Sequence, residues 1–181
     1  ARRVCDAAST SGSVPCTAPV RVEGGPASPV ADVNAAYAFA GDTYAFYAGL
    51  GRDSIDGHGL PIVSTVRYCP SAQECPYENA YWDGEQMVYG AGFTADDVVG
   101  HELTHGVTDN ESRLFYYAQS GAINESLSDI FGELIDLGNG AGTDTYAALP
   151  DTITLTGIIR DFKERSARDG HPDFEKDPTR G

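Results

Sequence analysis

Residues 98–105 read VVGHELTH, and this short stretch decides the fold that the sequence predicts. Its apolar positions, Val98, Val99 and Leu103, are typical of a helix that packs against a core. Residues four apart on a helix differ by about 40° around the axis and about 6 Å along it, so both histidine rings leave the same side. Glu102 is about 100° away and reaches the space beside the rings. The stretch therefore predicts a helix that presents two imidazoles and a neighbouring carboxylate.

Two imidazoles with an adjacent carboxylate are the arrangement of a zinc hydrolase. Glu125, early in the next predicted helix, offers a third protein ligand and leaves the fourth position to water, as in catalytic sites. We therefore predict that His101, His105 and Glu125 bind zinc and that Glu102 is a general base. Asp129, one turn beyond Glu125, is predicted to accept the other ring N–H of His101. The alternatives are surface histidines beside a solvated glutamate, and an exposed helical aspartate.

Periodicity along the rest of the chain predicts an α+β fold. Helical spacing covers residues 31–50, a strand covers 61–69, a hairpin joins 80–82 to 86–89, and two helices cover 95–107 and 121–137. The last helix carries an apolar stripe that is expected to face the core, formed by Leu127, Ile130, Phe131, Leu134 and Ile135.

The net charge of −15, from 27 acidic and 12 basic side chains, argues against nucleic acid as a partner. An acidic surface suits solubility outside the cell and also suits calcium, which prefers oxygen ligands. No stretch approaches the roughly 20 consecutive apolar residues of a membrane helix, so no membrane span is expected.

The four cysteines form two local pairs, Cys5 with Cys16 and Cys69 with Cys75. Neither pair has the spacing of a zinc site, so two short disulfides are predicted, which implies an oxidising compartment and a secreted protein. Four reduced, buried thiols are the alternative. The first residues lack the apolar segment of a signal peptide, so, if the protein is secreted, a signal and a pro-segment are expected to have been removed upstream.

Three segments together resemble the paired signatures of the thermolysin family of secreted neutral zinc metalloproteases, the gluzincins. They are HELTHGVTD at residues 101–109, GAINESLSDIFG at 121–132, and ENAYWDG at 78–84 followed by QMVYG at 86–90. The spacing between His105 and Glu125 is also that of the family. The resemblance implies a zincin-type fold, in which a sheet packs on the helix of the two histidines and on the glutamate helix that follows.

The resemblance also implies roles for single residues. His101, His105 and Glu125 match the zinc ligands, Glu102 the base that activates water, and Asp129 the carboxylate behind a ligand histidine. Further matches are Tyr116 to the tyrosine that steadies the oxyanion, Asn79 and Ala80 to the edge-strand residues that hold the substrate backbone, and Asp97 and Asp136 to calcium ligands.

The Ser-, Pro-, Gly- and Thr-rich composition of the first residues and the extent of the resemblance together predict a chain of three parts. Residues 1–29 are expected to be an irregular leader, 30–145 an incomplete zinc metalloprotease domain, and 146–181 a divergent tail. The helical C-terminal domain of the family is expected to be absent. The segments LTGIIRDFK at 155–163 and HPDFE at 171–175 resemble instead the start of a fibro-slime domain, an extracellular module.

The leading hypothesis is a secreted, monomeric zinc metalloendopeptidase that hydrolyses proteins or peptides and also binds calcium. A second is a non-catalytic, zinc-binding remnant that serves as an extracellular binding module. A third is a different zinc hydrolase that acts on non-peptide amides.

Overall fold

The computed structural model of the chain describes residues 1–12, 14–114 and 117–139. Within these ranges the α+β prediction is confirmed. The strands are β1 Arg2–Asp6, β2 Arg21–Val22, β3 Ile62–Val66, β4 Ala80–Trp82 and β5 Met87–Tyr89; the helices are α1 Ala31–Gly49, α2 Asp96–Glu111 and α3 Ala118–Asn139, with a 3-10 turn at Ala72–Glu74.

The five strands form one sheet in the order β2-β1-β3-β5-β4. The three central strands, β1, β3 and β5, run parallel, while β2 and β4 pair antiparallel at the two edges. Ala80 lies opposite Tyr89 and Trp82 opposite Met87 in the β4–β5 ladder. The order places β4 at the edge of the sheet that contacts α2, as Trp82 contacts that helix at Gly106.

The prediction that residues 1–29 form an irregular leader is wrong, because this segment supplies a central strand and an edge strand. Arg2 and Arg3 interrupt the apolar alternation by which a strand is recognised in a sequence. Arg2 pairs with Glu23 and places its guanidinium 3.9 Å from the centre of the Tyr37 ring, so its charge is stabilised in the fold. Val4, from the same strand, is almost fully buried.

Helices α1 and α2 share one hydrophobic core with the sheet. Along α1 the predicted face is buried at Val33, Tyr37, Ala40 and Tyr47, whereas Tyr44 is exposed and donates its hydroxyl to Asp53. The core also contains Ala36 of α1 and residues from the strands, the loop before β3 and α2: Val4, Ile55, Ile62, Val66, Ala80, Met87, Tyr89, Val99 and Leu103.

Helix α3 packs along α2 through a different face from the predicted apolar stripe. Of the five stripe residues only Ile135 is buried, and Leu134 is 45% exposed. The side that α3 buries consists mostly of small and polar residues: Gly121, Asn124, Ser128, Gly132, Ile135 and Asp136. Small residues let two helices approach closely, and this contact overrides the apolar periodicity.

Both predicted disulfides are confirmed, Cys5–Cys16 and Cys69–Cys75. The first ties β1 to the segment before β2. Across the described ranges, every helix is too short or too polar to cross a membrane.

Candidate metal centre

His101 and His105 lie on one side of α2, as their spacing predicts. Their Nε2 atoms are 3.0 Å apart, and the two rings are nearly perpendicular, with an interplanar angle of 81°. Both side chains are largely buried, with 16% and 13% of their surface exposed. The helix thus directs two potential ligand nitrogens at one small space.

Helix α3 crosses α2 at two glycines and brings the third predicted ligand to this space. A Cβ on Gly132 would lie 2.7 Å from the Asp97 carbonyl oxygen, and a Cβ on Gly100 would lie 3.1 Å from the Gly132 Cα. This close approach puts the Glu125 carboxylate 3.3 Å from His101 Nε2 and 3.6 Å from His105 Nε2. The structure therefore gathers the three predicted ligands around one point.

On each histidine ring the second nitrogen, Nδ1, lies within hydrogen-bond distance of side chains from α3. His101 Nδ1 is 2.8 Å from Asp129 Oδ1, at the contact that the sequence predicts. His105 Nδ1 is 2.8 Å from Asn124 Oδ1 and 3.1 Å from Ser128 Oγ, two residues that the sequence reasoning missed. Their positions could have indicated this role, because Asn124 and Ser128 are polar residues one helical turn apart, on either side of Glu125 in the sequence.

These partners assign the tautomers of both rings. A carboxylate or an amide oxygen accepts a proton from Nδ1, so each Nε2 keeps a lone pair. Two lone pairs that face each other at 3.0 Å repel unless a positive charge lies between them. The donor set of two imidazoles and a carboxylate is also the set that zinc prefers, so the residues present fit this metal.

The electrostatics of the site favour a cation. Burial lowers the pKa of His101, but the hydrogen bonds with Asp129 and Glu125 and the charge of Glu102 outweigh it and raise this pKa to about 10. In the absence of a metal, protonated His101 would carry the positive charge that the surrounding carboxylates stabilise.

Glu102 lies beside the two histidines, not between them. Its carboxylate forms a group with the two ring nitrogens in which the ligand atoms lie within 4.8 Å of one another. Burial raises the pKa of Glu102, while the two histidines and a hydrogen bond from the Trp82 backbone lower it, and the net shift is upward. A partly buried carboxylate with a raised pKa, next to a metal position, can accept and return a proton.

The remaining predicted site residues are two at the edge strand, two buried aspartates and one tyrosine. Ala80 begins the edge strand β4, and exposed Asn79 precedes it and accepts a hydrogen bond from the Gly90 N–H. Asp97 in the first turn of α2 and Asp136 near the end of α3 are both buried, at the end of the helix pair where Gly132 meets α2. Tyr116 lies outside the described residues.

Comparison with known proteins identifies two consecutive matches. The thermolysin metallopeptidase catalytic domain matches residues 24–109, and the thermolysin metallopeptidase alpha-helical domain matches residues 112–177. A zinc metalloproteinase of Renibacterium salmoninarum is 44% identical over 176 residues, which covers 88% of this chain and 32% of that protein. An extracellular metalloprotease of Pectobacterium carotovorum subsp. carotovorum is 49% identical over 125 residues, 64% of this chain and 35% of that protein.

A solved structure agrees with these matches. The precursor of protealysin, a metalloproteinase from Serratia proteamaculans, superposes with a TM-score of 0.68 at 41% identity and covers 76% of this chain and 44% of that chain. The chain thus spans about a third of the length of these two curated relatives.

The expectation that the helical C-terminal domain is absent is not confirmed, because the match to that domain begins at residue 112 and continues to 177. Helix α3, with Glu125 and Asp129, lies in this matched segment. The motifs quoted above end at residue 132, so they did not reveal the similarity that continues to residue 177. The segments that resemble a fibro-slime domain lie outside the described residues.

Proposed function

Since this chain belongs to the thermolysin family of metallopeptidases, we propose that it is the zinc-binding part of an endopeptidase that hydrolyses peptide bonds with water. The observation that carries the proposal is the convergence of two Nε2 lone pairs and the Glu125 carboxylate on one space. His101, His105 and Glu125 would hold zinc, which, when bound, polarises the scissile carbonyl and makes water more acidic.

In this proposal Glu102 moves the proton. Its carboxylate takes a proton from the attacking water as the water oxygen bonds to the carbonyl carbon. It then gives the proton to the amide nitrogen as the carbon–nitrogen bond breaks. The position of Glu102 beside the two ring nitrogens and its raised pKa support this role.

The edge strand β4 would hold the substrate. An extended peptide can pair with a sheet edge through backbone hydrogen bonds. Asn79 and Ala80 lie at the start of this strand, next to the helix that carries the histidines. Tyr116 would donate to the oxyanion, on the strength of the family match alone.

Calcium binding and secretion belong to the same proposal. Asp97 and Asp136 are buried acidic residues on neighbouring helices, and calcium would offset the cost of burying their charges. Two disulfides suit an oxidising compartment outside the cell, and one relative is described as an extracellular metalloprotease.

Glu102→Gln tests the mechanism. We expect it to bind zinc as the unsubstituted chain does but to cleave an internally quenched peptide at least about 100-fold more slowly, because the proton acceptor is lost. Asp109→Asn, an exposed change on the same helix, should retain the rate. If the unsubstituted chain binds one equivalent of zinc and cleaves no peptide, the alternative of a non-catalytic binding module is favoured.

A further inference from the structure

The two histidines at the metal centre are held by partners of different chemistry. His101 faces a carboxylate, Asp129, which accepts a proton in every orientation. His105 faces a neutral amide, Asn124, whose two ends are an acceptor and a donor. A hydrogen bond to a carboxylate is roughly twice as strong as one to a neutral amide, so Asn124 alone holds its ring less firmly than Asp129 does.

A second oxygen lies at the same ring nitrogen. Ser128 Oγ is 3.1 Å from His105 Nδ1, while Asn124 Oδ1 is 2.8 Å from it. Asn124 and Ser128 are one helical turn apart on α3, so their oxygens reach Nδ1 from two positions along that helix. Two hydrogen-bond partners restrain the rotation of the imidazole ring more tightly than one.

Because Ser128 is buried, a water molecule from bulk solvent cannot take the place of its hydroxyl. Ser128 is 0% exposed and Asn124 is 2% exposed. Bulk water therefore has no access to Nδ1 if the hydroxyl is removed. The side chain must also be small, because α3 meets α2 closely one turn further on at Gly132. Serine meets both requirements, a polar oxygen and a small volume.

We propose that Ser128 is a positioning residue for His105: together with Asn124, its hydroxyl holds the ring in the orientation that directs Nε2 at the metal position. This inference rests on the proposed zinc site. It differs from the prediction for Asp129, because Ser128 adds a second contact beside a neutral partner and does not supply charge.

Ser128→Ala tests the inference through zinc affinity, measured by competition with a chromophoric chelator. We expect affinity to fall about tenfold, the lower end of the effect seen when groups behind metal ligands are removed. Ser126→Ala, on the same helix about 200° away, is the matched control and should keep the original affinity. Alanine is smaller than serine and favours helices, so the variant is expected to fold.

A second measurement does not need the metal. In the metal-free protein, NMR relaxation of the His105 ring should show larger ring motion in Ser128→Ala than in Ser126→Ala. The inference is overturned if Ser128→Ala leaves both the ring motion and the affinity unchanged, or if Ser126→Ala changes them equally. Absence of zinc binding by the unsubstituted chain would contradict the proposed function, whereas the ring motion would still test Ser128.

Discussion

Gly106 follows His105 directly on α2, at the point where this helix contacts β4 and the loop before β3. A Cβ at this position would lie 2.8 Å from Ile55 Cγ2 and 3.2 Å from two ring atoms of Trp82. Ile55 is buried and has little room to move. Because glycine has only a hydrogen atom where other residues have a side chain, α2 can lie against the edge strand at Gly106.

Gly106→Ala should destabilise the protein. Overpacking costs roughly 1–3 kcal/mol, and the higher helix propensity of alanine returns at most about 1 kcal/mol, so a net loss of about 1 kcal/mol is expected. Urea unfolding measures it. Gly138→Ala is the control, because among the described residues no atom beyond its own stretch of helix lies within 4 Å of its added Cβ, and it should be neutral or slightly stabilising. Equal effects of the two substitutions would refute the packing argument.

At the scale of elements, the site depends on the distance between α2 and α3. Gly132→Ala would place a Cβ 2.7 Å from one backbone oxygen and 3.1 Å from the His101 nitrogen, and backbone atoms cannot rotate away. Helix α3 must shift, and Glu125 and Asp129 shift with it.

We expect Gly132→Ala to weaken zinc binding by more than tenfold and to lower the free energy of unfolding by about 2 kcal/mol. Chelator competition and urea unfolding give the two values, with Gly138→Ala again as the control. Unchanged zinc affinity despite lower stability would show that the crossing does not position the ligands.

The elements also show which predictions a sequence supports. Helix α2 and its histidine pair follow from local spacing, since positions four apart share a side in any helix. The contact face of α3 did not follow, because the apolar pattern indicates Leu134, whereas the helix buries Asn124 and Ser128. That choice depends on close packing against α2, which periodicity does not encode. Strand β1 was missed for a similar reason, as Arg2 becomes compatible with a central strand only through Glu23 and Tyr37.

At the scale of the whole molecule, Glu23 links β1 to α1. Its carboxylate accepts hydrogen bonds from the Arg2 side chain and from the Tyr37 hydroxyl. These contacts, chiefly the one with Arg2, lower the pKa of Glu23 from the usual 4.5 to about 2. The unfolded chain therefore binds this proton more readily than the folded one.

The contribution of Glu23 to stability is complete above about pH 4.5 and is lost as the pH falls towards 2. Glu23→Gln should lower the unfolding free energy above pH 4.5 and converge on the unsubstituted protein near pH 2. The difference should be small, because the side chain is 46% exposed and solvent screens the pair. Thermal unfolding at a series of pH values tests this; a difference that persists at pH 2 would contradict it.

The division of the proposed ligands between α2 and α3 has a consequence for biosynthesis. The ribosome completes His101 and His105 before it reaches Glu125, and the two helices fall in separate matched domains. A nascent chain that stops between them has two imidazoles but neither the third ligand nor the α3 residues that orient the rings. The order of synthesis thus delays assembly of the proposed metal centre until α3 has been made, so a chain that stops before α3 would lack the proposed cleavage activity.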